Sequence, residues 1–209
     1  MKTDRSPQWL KWAREIQSLS QTGLAFAVTD YEKKRYTRLT ELAAEITDTF
    51  TNLESEEIAP VFMNHPGYAT PKIDVRSAVI KDGEILLVQE KADEHWAMPG
   101  GWADVGDFPS DVAERETEEE SGYLVKAKKV IGVFDANRTG RAMEFFHAFK
   151  IIFMCELIGG EPRKSDETID VGFFPFDDLP PLSQYRTNDR FLNEVKLHLE
   201  DPGRATYFD

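Results

Sequence analysis

At 209 residues the chain is long enough to bury a full core, and 41% apolar with 11% aromatic residues is ordinary for a globular protein, so 30% charged residues do not imply disorder. A formal net charge of −13 argues against a general grip on duplex nucleic acid, which needs clustered Lys and Arg, but admits a small anionic substrate where a bound cation inverts the local sign. Cys155 is the single cysteine, so no intrachain disulfide can form; with no apolar run of about eighteen residues and no secretory h-region, the expectation is a cytoplasmic protein without membrane attachment.

Trp9, Trp12, Ala13, Ile16 and Leu19 recur at three-to-four spacing, as do Tyr36, Leu39, Leu42, Ala43, Ile46 and Phe50. That period predicts two amphipathic helices, joined over Gln21 to Asp30 by a connection containing Gly23. They form a helical extension over residues 1–53, and residues 54–71, with Pro60, Pro66, Gly67 and Pro71, read as a linker to a domain over 72–209. The extension has apolar stripes but no grouped acid, base or metal ligands, so its expected role is assembly as a homodimer.

Strand-like runs follow at Ile73 to Ile80 and Glu84 to Val88, flanking Asp82-Gly83, the signal of a hairpin. A helix is predicted from Pro109 to Ser121, then strands at Lys129 to Phe134, Phe145 to Leu157 and Val171 to Phe176, and a last helix from Asn188 to about Leu199. Helices alternating with a mixed sheet make the fold class α/β. Cys155 lies in the apolar run Ile151 to Cys155 and reads as a buried structural thiol.

The chemistry is concentrated between Gly101 and Tyr123. Pro109 suits a helix's first turn and Gly122 the position just past its end, which puts Glu116, Glu118, Glu119 and Glu120 in the last two turns. Carboxylates there face the negative end of the helix dipole and repel one another. A local rule broken this heavily marks a functional site. Glu116, Glu119 and Glu120 stand at i, i+3 and i+4, on one face, where a hard cation relieves the repulsion; all-oxygen ligands suit magnesium or manganese, held together with substrate phosphates and water.

Gly101, five residues, Asp107, seven residues, then Arg115-Glu116-x-x-Glu119-Glu120-x-Gly122 resembles the Nudix box. For six fixed residues the chance match per starting position is on the order of one in ten million. Two positions depart from the pattern: Asp107 stands where Glu is usual, and Thr117 where an apolar residue is usual. The resemblance implies an α/β/α sandwich around a mixed sheet, with the box as a loop and helix holding Mg2+, or Mn2+, on Glu116, Glu119 and Glu120. It also implies that Arg115 orients the glutamates, that the carbonyl of Gly100 adds a ligand, and that Glu167 is a further ligand or base, with Glu161, Asp166 and Asp170 as nearby rivals.

The two helices, Gln21-Thr22-Gly23-Leu24-Ala25, the run Gly67 to Arg76 and Pro99-Gly100-Gly101-Trp102-Ala103-Asp104-Val105-Gly106 extend the likeness to a bacterial Nudix subgroup associated with ADP-ribose and CDP-choline hydrolysis. The implied activity is cleavage of a nucleoside diphosphate linked to another moiety. Arg76, Arg138 and Arg141 are candidates for substrate phosphate or ribose, Trp102 for stacking on a base, and Asp104 for a further substrate contact; Trp96, Phe134 and Phe146 are aromatic alternatives that equally serve a core. His65, His95, His147 and His198 have no zinc-ligand spacing. The competing readings are a non-catalytic nucleotide-sugar-binding module and an RNA-processing Nudix enzyme.

Overall fold

The computed structural model describes residues 7–51, 59, 68–104, 106–136 and 147–209. Backbone contacts divide the chain into two compact units, Met1–Pro71 with Asn137–His147, and Lys72–Ala136 with Ala148–Asp209. The expected linker over 54–71 lies largely outside the described residues.

The first unit is a helical hairpin of α1 (Gln8–Phe26) and α2 (Asp30–Phe50). The connection is shorter than the sequence pattern predicts, because α1 runs through Gly23. A Cβ at that position would lie 2.3 Å from the Tyr36 ring, so glycine serves close helix packing here and not a turn. The start of α2 is set by a reciprocal capping box, Thr29 accepting from the Glu32 N–H and Glu32 from the Thr29 N–H. The buried residues are mostly small or polar: Leu10, Ala13, Gln17 and Ser20 on α1, Thr40, Ala43, Ala44 and Thr47 on α2. Trp12, Leu19, Leu39 and Phe50 stay exposed while Trp9, Ile16, Tyr36, Leu42 and Ile46 are half-buried, so the predicted stripes exist but only part of their large members is covered.

The second unit comprises β1 (Lys72–Lys81), β2 (Glu84–Glu90), β3 (Trp96–Ala97), α3 (Pro109–Ser121), β4 (Tyr123–Asp135), β5 (Ala148–Gly160), β6 (Thr168–Pro175), α4 (Asp189–Glu200) and β7 (Tyr207–Phe208). Its seven-stranded sheet has the order β3-β2-β1-β5-β4-β7, with β6 also pairing β2. It is mixed: β1 runs parallel to β5, and β4 to β7. Period-two alternation gives each face a core. Ala78, Ile85, Leu87, Ile131 and Ile152 pack with Phe191, Leu192 and Val195 of α4; Val75, Val79, Leu86, Val125 and Phe153 pack with Val112 and Ala113 of α3.

β4 begins six residues before the predicted strand, immediately after Gly122. Register shifts at Leu124/Val125, Ala127/Lys129 and Val130/Gly132 interrupt its alternation, which is why the pattern is hard to read in sequence. Cys155 is buried and its thiol is pushed up to about 11 by that burial, as a structural cysteine should be. Among the described residues no helix is long and apolar enough to cross a membrane.

One feature of this sheet positions the site. β1 and β2 pair only at the hairpin end, Ile80 with Ile85 and Lys81 with Glu84. Beyond that β1 follows β5 while β2 follows β6 and β3, and the Pro99–Gly101 segment lies along β1 through Ser77 N–H to Pro99 carbonyl at 2.9 Å and Val75 N–H to Gly101 carbonyl at 2.8 Å.

Candidate active site

The α3 helix has the boundaries its sequence predicts, Pro109 in the first turn and Gly122 as a left-handed cap at φ +78°, where a Cβ would meet the Glu161 carbonyl at 2.4 Å. Its last turn carries no basic residue, so the clash between glutamates and helix dipole is present in the fold. Thr117, the departure from the usual apolar residue, is fully buried; its hydroxyl donates to the Ala113 carbonyl at 2.7 Å, which removes the penalty of burying it. Ser77 of β1 donates to the same carbonyl at 2.9 Å and ties helix to sheet.

Two glutamates are drawn onto the glycine segment. Gly100 adopts φ +144° and a Cβ there would sit 2.0 Å from the Val75 carbonyl, so only glycine permits the approach to β1. Its N–H donates to Glu120 Oε2 at 2.9 Å. Its carbonyl accepts no hydrogen bond among the described residues. Glu116 Oε2 lies 2.9 Å from where a Gly101 Cβ would be. Glu119, by contrast, has its side chain 60% exposed. Arg115 holds the group together, with Glu116 at 2.7 Å, Glu119 at 3.3 Å and Asp107 at 3.4 Å. Asp107 also accepts from the Asp104 N–H at 3.1 Å, so in place of the usual glutamate it closes the loop before α3.

Glu120 is strongly perturbed. Burial pushes it up to about 8 against the pull of Arg76 and the Gly100 N–H, and Glu90 and Glu116 push the same way. Glu116 is raised by burial too, opposed by Arg115. Among the described residues no three His, Cys, Asp or Glu converge tightly enough to hold an ion by themselves. The donor set still suits a hard cation whose remaining ligands come from phosphate and water, because buried carboxylates on one helix end are left under-compensated by cationic partners.

Arg76 is not presented to solvent. It is 5% exposed, its Nε and Nη2 donate to Asp74 at 2.9 and 3.3 Å, and Nη1 donates to the Met98 carbonyl at 3.2 Å. This candidate for phosphate or ribose is thus committed to Asp74 and the Met98 carbonyl in this structure, and Asp74, Glu120 and Glu90 raise its pKa against desolvation. Trp102 is exposed, bridges to Asp74 through its backbone and has Lys72 Nζ 5.7 Å from its ring; Asp104 is exposed beside it. Glu167 is exposed on the loop entering β6, fastened by Lys91 N–H to its carbonyl at 2.8 Å and by Thr168 Oγ1 donating to the Glu120 carbonyl at 2.8 Å, which brings the loop to the end of α3. Arg138, Arg141 and Phe146 lie outside the described residues; Phe134 and Trp96 pack in the core region and Trp96 contacts Phe174 edge-on.

A buried charge network extends beyond the residues that the sequence motifs single out. Asp74 also takes Lys150 Nζ at 2.8 Å, Glu90 is 3.9 Å from Arg76 and 3.1 Å from Arg186, and Arg186 reaches Asp93 at 3.2 Å. A signal existed: Glu90 ends the apolar run of β2 and Lys150 interrupts that of β5, and a charge in a strand buried on both faces needs a partner.

Residues 7–62 match the family model described as "UDP-X-like, N-terminal oligomerisation domain", and residues 71–195 match that of the NUDIX domain. The chain is 36% identical over 202 residues, 97% of each chain, to YjhB of Bacillus subtilis (strain 168), whose name assigns it provisionally as an ADP-ribose pyrophosphatase. A crystal structure of a UDP-X diphosphatase aligns with a TM-score of 0.63 at 32% identity, covering 96% of this chain and 98% of that one. That of an ADP-ribose pyrophosphatase from Streptococcus suis 89-1591 aligns with a TM-score of 0.61 at 36% identity, covering 67% of this chain and all 100% of the other. With both parts of its length matched, and with a relative this similar end to end, the chain belongs to the Nudix hydrolase family.

Proposed function

We propose that the protein hydrolyses the diphosphate of a nucleoside diphosphate joined to another group, with Mg2+, or Mn2+ in its place, held by Glu116, Glu119, Glu120 and the Gly100 carbonyl. The observation that carries this is the seating of Glu116 and Glu120 on Gly101 and Gly100, with Arg115 across the outer carboxylates. When bound, the cation neutralises phosphate charge and lowers the pKa of a water. Arg115 orients Glu116 and Glu119, and the Gly100 N–H fixes Glu120. Glu167, on the loop fastened to the end of α3, takes the proton from the attacking water. The water oxygen bonds to one phosphorus, the bridging P–O bond breaks, and the departing phosphate leaves with that bond's electron pair. Trp102 and Asp104, exposed next to the glycine segment, contact the nucleoside or the second group; Arg138 and Arg141 are kept as candidates for phosphate or ribose on their residue type alone.

The relatives' names favour ADP-ribose, giving AMP and ribose 5-phosphate; CDP-choline, giving CMP and phosphocholine, and a UDP-linked substrate belong to the same class. We assign residues 1–53 to a homodimerising extension, 54–71 to a linker and 72–209 to the hydrolase domain, in the cytoplasm, without a membrane or duplex nucleic acid as partner. The test is release of nucleoside monophosphate from ADP-ribose, CDP-choline and UDP-sugars with Mg2+, Mn2+ or EDTA. Turnover that survives EDTA, or confinement to capped RNA, overturns this assignment.

A further inference from the structure

We propose that Glu90 is a positioning residue that keeps Arg76 off Glu120, so that the Glu120 carboxylate stays open to a cation; this rests on the metal-site reading above.

Arg76 is a forked donor buried within the electrostatic reach of three carboxylates. Asp74 takes Nε and Nη2, the Met98 carbonyl takes Nη1, and Glu90 faces Nη1 at 3.9 Å. Between Arg76 and Glu120 there is no ion pair or hydrogen bond among the described residues; the one bond the Glu120 carboxylate accepts there is from the Gly100 N–H. Arg76 therefore acts on Glu120 as a field and not as a clamp. Glu90 is itself held, Arg186 Nε standing 3.1 Å from the same Oε1 that faces Arg76, and Arg186 is fixed in turn by Asp93. The network thus sets Glu90 opposite Nη1, the one guanidinium nitrogen that Asp74 does not take. A guanidinium that closed on Glu120 with bidentate geometry would occupy the oxygens a cation needs. Outer carboxylates that orient a site's charged groups change metal affinity by roughly 10- to 100-fold when lost.

The experiment is Mn2+ binding to the full chain without substrate, read from the free-ion electron paramagnetic resonance signal, with melting curves to show that each variant is folded. Glu90→Gln keeps the shape and removes the charge; it should weaken Mn2+ binding about tenfold. Adding Arg76→Lys should restore it, because an ammonium held by Asp74 has no second edge to offer Glu120. Metal-free crystals of Glu90→Gln should show Arg76 ion-paired with Glu120, a readout that does not depend on the double variant folding. A double variant as weak as Glu90→Gln, or an Arg76 still apart from Glu120 in those crystals, overturns the inference. Glu120→Gln separates it from its foundation: weakened binding there with unchanged binding in Glu90→Gln defeats the role of Glu90 alone, whereas unchanged binding in Glu120→Gln defeats the metal site and Glu90's role together.

Discussion

The helical hairpin and the sheet unit break the usual division of inside and outside in opposite ways. The hairpin buries Ala13, Gln17, Ser20, Thr40 and Ala43 and leaves Trp12 55%, Leu19 63% and Phe26 63% exposed. The sheet unit buries Asp74, Arg76, Glu90, Glu120 and Lys150. Large apolar side chains in water and charges out of water are each unfavourable unless something outside the unit supplies what is missing. For the hairpin that is an apolar surface, in keeping with the oligomerisation description of its family model. For the sheet unit it is positive charge close to Glu116 and Glu120, which Arg76 and Arg115 supply only in part.

The contrast is broken most severely at Glu120. Glu120→Gln keeps an acceptor for the Gly100 N–H and removes the ligand charge, so turnover should fall about a hundredfold while the melting temperature holds or rises. Near-normal turnover at saturating Mg2+ in a product-release assay would show that the buried charge serves structure alone. On the hairpin side, removing residues 1–53 should convert a dimer to a monomeric or aggregating species by sedimentation, with substrate KM raised several-fold and Mn2+ binding intact. Unchanged size and kinetics would make the exposed apolar face a dock for a different partner.

A smaller effect sharpens the electrostatic half. Glu120 ordinarily titrates near 4.5 and in the fold near 8, so between these values the native state holds a proton that the unfolded chain has released. Stability is therefore present in full below about 4.5 and is lost as pH rises toward about 8, with Glu116 and Glu90 shifted the same way. Asp74 is shifted downward by Arg76 and Lys150 against desolvation, so its contribution is lost only as pH falls below its ordinary value of 3.8. Metal-free protein should melt several degrees lower at pH 8 than at pH 5, and millimolar Mg2+ should flatten the slope by binding the ionised site. A melting temperature that rises between pH 5 and 8 without metal would contradict this. The smallest effect is at Thr117: Thr117→Val replaces a buried hydroxyl satisfied within its own helix and should change stability by less than about 1 kcal/mol in chemical denaturation, with turnover preserved.

Local rules were enough for much of the molecule. The limits of α3 follow from Pro109 and Gly122, the β1–β2 hairpin from Asp82-Gly83 with both residues at positive φ, and the last helix from Asn188, whose side chain accepts from the Phe191 N–H. The fold class follows from the alternation of helices and strands, and the grouping of Glu116, Glu119, Glu120 and Arg115 from spacing along one helix, both of which sequence carries. Tertiary structure alone decided which glutamates turn inward, because that depends on Gly100 and Gly101 being laid along β1, and it alone assembled Arg76, Glu90, Lys150 and Arg186, which are distant in sequence and meet where β1 and β2 separate. It also decided which members of the hairpin stripes are covered, since the distance between two packed helices is set by the smallest residues on the seam, and periodicity records which positions share a face but not how closely that face is approached.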